Sequence, residues 1–182
     1  MDWSDTALEA NHRVMMQLQT MPEQLLGWDG APSDIDAWMM ARLRQRVQQW
    51  SYAMDRFDLR RAVECSHYDM VKDINWYVRR GGGNVEVGRE VLDAWTHMIA
   101  VATPHLAEDW WSYLGGEGLL AAHTFTEMDP CSLEDQELLD GETLIRDLLE
   151  QARKVRGVAE RHLEGEATSL TIITAAPWRY EM

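Results

Sequence analysis

Ile35, Trp38, Met39, Leu43, Val47, Trp50 and Met54 recur at threes and fours, one apolar stripe about five helical turns long. A strand would need alternation, so this segment is predicted to be an amphipathic α-helix, capped by Ser33 or Asp34. The same spacing returns elsewhere. Leu59, Val63, Met70, Ile74 and Val78 mark a helix from about Asp58 to Val78, ended by Gly81-Gly82-Gly83. Val87, Val91, Trp95, Met98 and Ala102 mark another over about 85–102. Thr103 is placed to cap a further helix with Pro104 in its first turn, where a missing amide hydrogen costs nothing. That helix carries Trp110, Trp111 and Leu114 and stops at Gly115-Gly116. These elements define an all-α chain, a helical bundle of about five to six helices.

The remaining segments are less regular. Val14, Met15 and Leu18 lie on a helical face within about 5–20, and Met21 to Pro32 reads as a loop. Leu119 to Pro130 is irregular, with a short extended piece at Ala121-Ala-His-Thr-Phe125. Ser132 caps a short helix, and a long one over roughly 141–164 carries Leu144, Ile145, Leu148, Leu149, Ala152, Val155 and Ala159. Ser169-Leu-Thr-Ile-Ile-Thr174 is rich in β-branched residues and reads as a short strand. A lone strand in a helical chain lacks a ladder partner, so it is expected to open a further domain. The expected organisation is an N-terminal helix and connecting loop over 1–32, the bundle over 33–166 and the strand over 167–182.

Nine tryptophans and eleven methionines in 182 residues supply large rings and adaptable filler for helices packed at several angles. No apolar run reaches the roughly 18 residues of a membrane span, and Met1-Asp-Trp-Ser-Asp5 is unlike a secretory signal. A cytoplasmic protein is expected. Cys65 and Cys131 are read as buried or idle thiols, since Cys65-Ser-His67 has no second Cys/His pair at zinc spacing. No metal site is expected.

The net charge is −14, which by itself opposes binding to a polyanion. The distribution of that charge points the other way. Ten of the 17 basic residues fall within 42–89: Arg42, Arg44, Arg46, Arg56, Arg60, Arg61, Lys72, Arg79, Arg80 and Arg89. Residues 37–89 hold six acids against those ten, whereas 106–182 hold sixteen acids against six bases. One basic segment on an acidic body steers nucleic acid to one face.

Enzyme templates fail in turn. Gly81-Gly-Gly-Asn84 lacks the Lys-Ser/Thr of a P-loop and follows a helix; no Gly-x-Ser-x-Gly elbow or His-Glu-x-x-His helix occurs. His105 and Glu108 share a helix face, but acid–base work needs a pocket and a third group. The expected reading is a buried or interface His, with Glu108 answering helix polarity. No catalytic residue is assigned.

Several motifs carry a resemblance. Asp34-Ile-Asp-Ala-Trp38 followed by Arg42-Leu43, then Phe57-Asp-Leu-Arg-Arg-Ala62, then Pro104-His-Leu-Ala-Glu108 with Trp110/Trp111 resemble the helical anticodon-binding domain of the aminoacyl-tRNA synthetases for leucine, isoleucine, valine and methionine. Trp76-Tyr-Val-Arg-Arg-Gly-Gly82 and Ile172-Ile-Thr-Ala-Ala-Pro-Trp-Arg179 are similar to the leucine enzyme of archaeal and eukaryotic type, the second to the strand that opens its C-terminal domain. Thr124-Phe125-Thr126 departs from the Ser-Trp-Pro of many relatives. The likeness runs from about Ser33 to the end.

The resemblance implies a domain that braces tRNA(Leu) and performs no bond chemistry itself. His-x-Gly-His and Lys-Met-Ser-Lys-Ser are absent, so ATP and Mg would belong to the parent ligase and no cofactor to this chain. Its implied partners are tRNA(Leu) and the catalytic, editing and C-terminal domains of that parent, with no membrane and no DNA. Arg42, Arg46, Arg60, Arg61, Lys72, Arg79 and Arg80 are the candidate tRNA-binding residues. The alternatives are a free-standing acidic helical module that binds protein, or the same domain of an isoleucine, valine or methionine enzyme.

Overall fold

Seven α-helices follow one another in the computed structural model, which describes residues 4–125, 128–162, 169 and 171. They are α1 (Asp5–Leu26), α2 (Asp34–Asp55), α3 (Leu59–Val63), α4 (Met70–Arg79), α5 (Val85–Ile99), α6 (Pro104–Tyr113) and α7 (Leu133–His162). A π-helical segment, Glu64–Asp69, joins α3 to α4, and Leu120–Ala122 forms one 3-10 turn. The described residues contain no strand, as an all-α bundle requires. Apart from Ser169 and Thr171, the expected strand at 169–174 lies outside the described residues. The chain divides into two units, Met1–Leu139 and Asp140–Met182.

In the first unit, α1 runs on to Leu26 instead of breaking into a loop after residue 20, and it passes through Pro22. An interior proline costs about 3 kcal/mol. Continuing the helix drives Leu18, Met21 and Leu25 fully out of water, each worth about 1.5–3 kcal/mol, which outweighs that cost. Helix α1 then meets α5 where Gly88 has no side chain: a Cβ there would lie 2.5 Å from the Leu25 carbonyl oxygen and 2.9 Å from the Trp28 ring.

Helix α2 starts as predicted at Ser33, whose backbone N–H and hydroxyl donate to the Asp36 carboxylate over 3.2 and 3.0 Å. Asp36 also accepts from the Tyr77 hydroxyl at 2.5 Å and from Asn84 Nδ2 at 2.8 Å. Asn84 in turn caps α5 by accepting from the Glu86 N–H. One carboxylate therefore ties the start of α2 to the end of α4 and the start of α5. Burial pulls the Asp36 pKa up, but these hydrogen bonds outweigh it and hold the group below its ordinary value.

The stretch predicted as one helix over 58–78 contains a wider turn. The π segment takes in an extra residue and turns Cys65, Ser66 and His67 all inward. The buried face becomes Ala62, Cys65, His67, Met70, Ile74 and Tyr77, while Leu59 and Val78, expected inside, are exposed. Polar groups in this turn are paired. Ser66 Oγ donates to the Ala62 carbonyl, His67 sits 2.8 Å from Ser66 Oγ and 3.2 Å from Thr103 Oγ1, and Trp95 Nε1 donates to the Ser66 carbonyl at 2.5 Å. Thr103 stands at the N-cap of α6, but its hydroxyl donates back to the Ile99 carbonyl, so it joins α5 to α6 instead of closing a cap. Trp95 and Trp110 pack edge to face at 5.0 Å, which adds about 0.5–1.5 kcal/mol to their burial. Ala102, expected inward, is exposed where the chain bends into α6.

Ser132 caps α7 reciprocally with Asp135, through bonds of 2.9 and 3.0 Å. The separate short and long helices expected around 132–164 are one helix, since Gly141 continues it. In the second unit, Leu144, Leu148, Leu149 and Val155 are exposed, while Ile145, Ala152 and Ala159 are half-buried.

Candidate nucleic-acid interface

The basic segment falls on an antiparallel helix pair. Contacts between Asp36 and Tyr77 near one end and between Arg46 and Asp69 further along show that α2 and the α3–α4 stretch run in opposite directions. At about 1.5 Å per residue the pair is roughly 30 Å long. This length decides which of the seven candidate cations meet.

Five of them form one linked network. Arg46 Nε donates to Asp73 at 2.7 Å and its Nη1 to Asp69 at 3.1 Å. Arg42 lies 3.9 Å from Asp73 and stacks over the Trp38 ring at 5.4 Å. Arg61 reaches Asp69 at 3.5 Å and Glu64 at 3.6 Å. Lys72 donates to Asp69 at 3.1 Å, and Arg60 pairs with Glu64 at 2.9 Å. Arg42, Arg46, Arg60, Arg61 and Lys72 thus share three carboxylates, Glu64, Asp69 and Asp73, and the network keeps an excess of positive charge.

Within it the residues divide by depth. The Arg42 and Arg46 side chains are only 12% and 13% exposed, between the helices, where both face Asp73 and Arg46 also pairs with Asp69. They hold α2 against α4. Lys72 and Arg60 point outward, at 72% and 86% exposed, with Arg61 half-exposed between them. Their ion pairs are surface pairs, each worth about 1 kcal/mol or less, which a phosphate can replace. Arg79 and Arg80 are exposed but belong to the far end, beside Gly81, whose φ of +91° ends α4. Arg44, outside the candidate set, is consumed by a two-pronged contact to Asp135 at 3.1 and 3.1 Å.

Two residues beside the outer patch were not candidates. Arg56 stacks on Tyr52 at 4.8 Å and donates to its hydroxyl at 2.6 Å, and Phe57 stands 88% exposed. The available signal was an aromatic residue inside a predicted helix break flanked by arginines.

The other polar groups serve the fold. Glu108 accepts from the Leu120 N–H at 3.0 Å, and His105 is exposed instead of buried, so the two form no acid–base pair. Burial pushes the Cys65 thiol up to about 11 and holds His67 below its ordinary value, so both are neutral near pH 7. Among the described residues no three His, Cys, Asp or Glu side chains converge as a metal site, and no helix is long and apolar enough to cross a membrane.

The chain belongs to the family described as the anticodon-binding domain of tRNA ligase, which it matches over residues 36–170. Within that family its similarity is to archaeal leucine–tRNA ligases. It is 33% identical to that of Methanocaldococcus jannaschii over 179 residues, 96% of this chain and 18% of the relative. It is 31% identical to that of Methanococcus maripaludis over 148 residues, 81% and 15% respectively. With the enzyme of Methanothrix thermoacetophila it shares 27% identity over 186 aligned positions, 100% of this chain and 19% of the relative. The chain therefore spans less than a fifth of the length of these relatives.

Proposed function

We propose that this chain is the tRNA-supporting bundle of a leucine–tRNA ligase and braces tRNA(Leu) while a separate catalytic domain joins leucine to it. Aminoacylation, with its ATP and Mg, belongs to that catalytic part, and the setting is the cytoplasm. The observation that carries the reading is the outward row of Arg60, Arg61 and Lys72, kept in surplus over the carboxylates that anchor it. Arg79 and Arg80 form a second foothold at the far end of the helix pair. Arg42 and Arg46 act on RNA only indirectly, by fixing the helices that present the others.

The test is the affinity for a tRNA(Leu) transcript as salt rises. Contacts to several phosphates make the logarithm of the binding constant fall by about 0.7–0.9 per contact for each tenfold rise in salt. A flat dependence, or no binding, overturns the reading and leaves a protein-binding module. That second reading draws on the −14 net charge and on the exposed Leu144, Leu148 and Val155 of α7.

A further inference from the structure

We infer that Phe57 is a stacking platform for an unpaired RNA base, with Arg56 and Arg60 supplying the contacts to its backbone. The inference rests on the RNA-binding reading above and names a subsite within it. Helix α2 ends in a Schellman motif: the Asp58 N–H donates to the Ala53 carbonyl at 2.9 Å and the Phe57 N–H to the Met54 carbonyl at 3.0 Å. The motif needs a left-handed residue between helix and exit, and Phe57 occupies it at φ +56°, the only non-glycine residue with positive φ among those described. Glycine fits that position without cost; a Cβ and a ring do not. The usual compensation for a misplaced aromatic is burial, and Phe57 has almost none, at 88% exposed. Both the backbone and the hydrophobic effect oppose this residue in the free protein. A ligand that covers the ring supplies what the fold withholds.

The neighbours specify its chemistry. The Arg56 guanidinium sits over the Tyr52 ring and makes no ion pair among the described residues, while Arg60 on the next turn holds only an exposed pair with Glu64. Exposed rings interleaved with arginines bind single-stranded nucleic acid, where each base offers a face and each linkage a phosphate. Another cluster of rings among the described residues differs. His97, Phe125 and Trp111 border cavities where Glu90, Asp93 and Glu117 outnumber the one cation, Arg89, and the net negative charge disfavours phosphate.

The test uses Phe57→Gly and Phe57→Trp in the full chain. Glycine suits the left-handed position, so the variant keeps or raises its melting temperature and a loss of binding is not unfolding. The probes are a tRNA(Leu) transcript, a single-stranded RNA 12-mer of mixed sequence and a blunt RNA duplex. Removing one stacking residue weakens binding by about 5- to 150-fold. That loss is expected for Phe57→Gly with the transcript and the single strand, with an unchanged salt slope, no loss on the duplex, and retention by Phe57→Trp. Full affinity of Phe57→Gly for RNA that the native chain binds overturns the stacking role and leaves the RNA reading intact. An equal loss on the duplex also overturns it. Failure of the native chain to bind any of the three RNAs overturns both.

Discussion

Arg46 and Asp73 meet at 2.7 Å between α2 and α4, with the guanidinium 13% and the carboxylate 1% exposed. Arg46 also holds Asp69, and Asp73 faces Arg42. This contact fixes the spacing of the two helices that present the outer cations. It also explains why a basic segment survives on an acidic protein: part of the positive charge is consumed as internal bracing. Replacing Asp73 with Ala leaves Arg46 with Asp69 alone and takes a carboxylate from Arg42, and breaking a buried pair costs up to about 3–5 kcal/mol. Urea unfolding should show that loss as a fall in the midpoint with little change in slope. A change below about 0.5 kcal/mol would remove the pair from the forces that join the helices.

The close approach of α1 to α5 makes a second, sharper claim on stability. A Gly88→Ala side chain would enter at 2.5 Å from the Leu25 carbonyl, which is backbone and cannot swing aside. On an isolated helix the same change stabilises by about 1 kcal/mol through propensity. Here overpacking, about 1–3 kcal/mol, opposes it and wins. The melting temperature should fall; a rise would mean that the helices separate freely.

Much of this was legible in the sequence, and the parts that were not share a cause. Periodicity found α2 and α5 because each buries a regular stripe, and Ser33 marked the start of α2 through its own local bonds. Pro22 misled because its local cost is overridden by Leu18, Met21 and Leu25, whose burial depends on distant helices. The π segment has no periodic signature, so the expected stripe through Leu59 and Val78 followed a uniform helix that the chain does not form. The candidate cations stand out in the sequence as a segment, but depth is a tertiary property. Nothing local distinguishes Arg46, turned toward Asp73, from Arg60, turned toward water. Phe57 was hidden for the opposite reason: its left-handed backbone belongs to a position where sequence rules expect glycine.

Stability should depend on pH at both ends, with opposite signs. His67 is held below its ordinary value of 6.5 by burial, so its neutral form belongs to the folded state. Its contribution is present above pH 6.5 and is lost as pH falls through that value, because the unfolded chain takes up the proton first. One such group removes at most about 1.4 kcal/mol per pH unit. Tyr77 is pushed up to about 12 by burial and by its bond to Asp36, so its contribution is complete below pH 10 and is lost as pH rises toward 12. Urea midpoints at pH 7.5 and about 5.5 for the native chain and a His67→Gln variant test the acid limb. The variant should lose less stability over that interval, and equal losses would remove His67 as the source, since Asp36, held below its ordinary 3.8, gives up its contribution only at lower pH. Phenolate absorbance read against unfolding tests the alkaline limb.

Along the helix pair Arg79 lies roughly 30 Å from Arg60 and about 10 Å from Lys72, which yields a prediction about additivity. Removing Arg60 and Lys72 together takes two cations from the outer row, and removing Arg79 and Arg80 together takes two from the end of α4. If both groups touch phosphate, each double variant should lower the salt slope for tRNA(Leu) by about 1.4–1.8. Sites more than about 10 Å apart with no shared partner combine additively. The quadruple variant should therefore lose the product of the two fold-changes in affinity, with its melting temperature close to that of the native chain. Arg60 and Lys72 are exposed at surface pairs, so their removal leaves the Arg46–Asp73 contact in place. A slope that changes for one group only would confine the RNA to that group. Arg79 and Arg80 unchanged would leave the outer row beside Phe57 as the whole footprint.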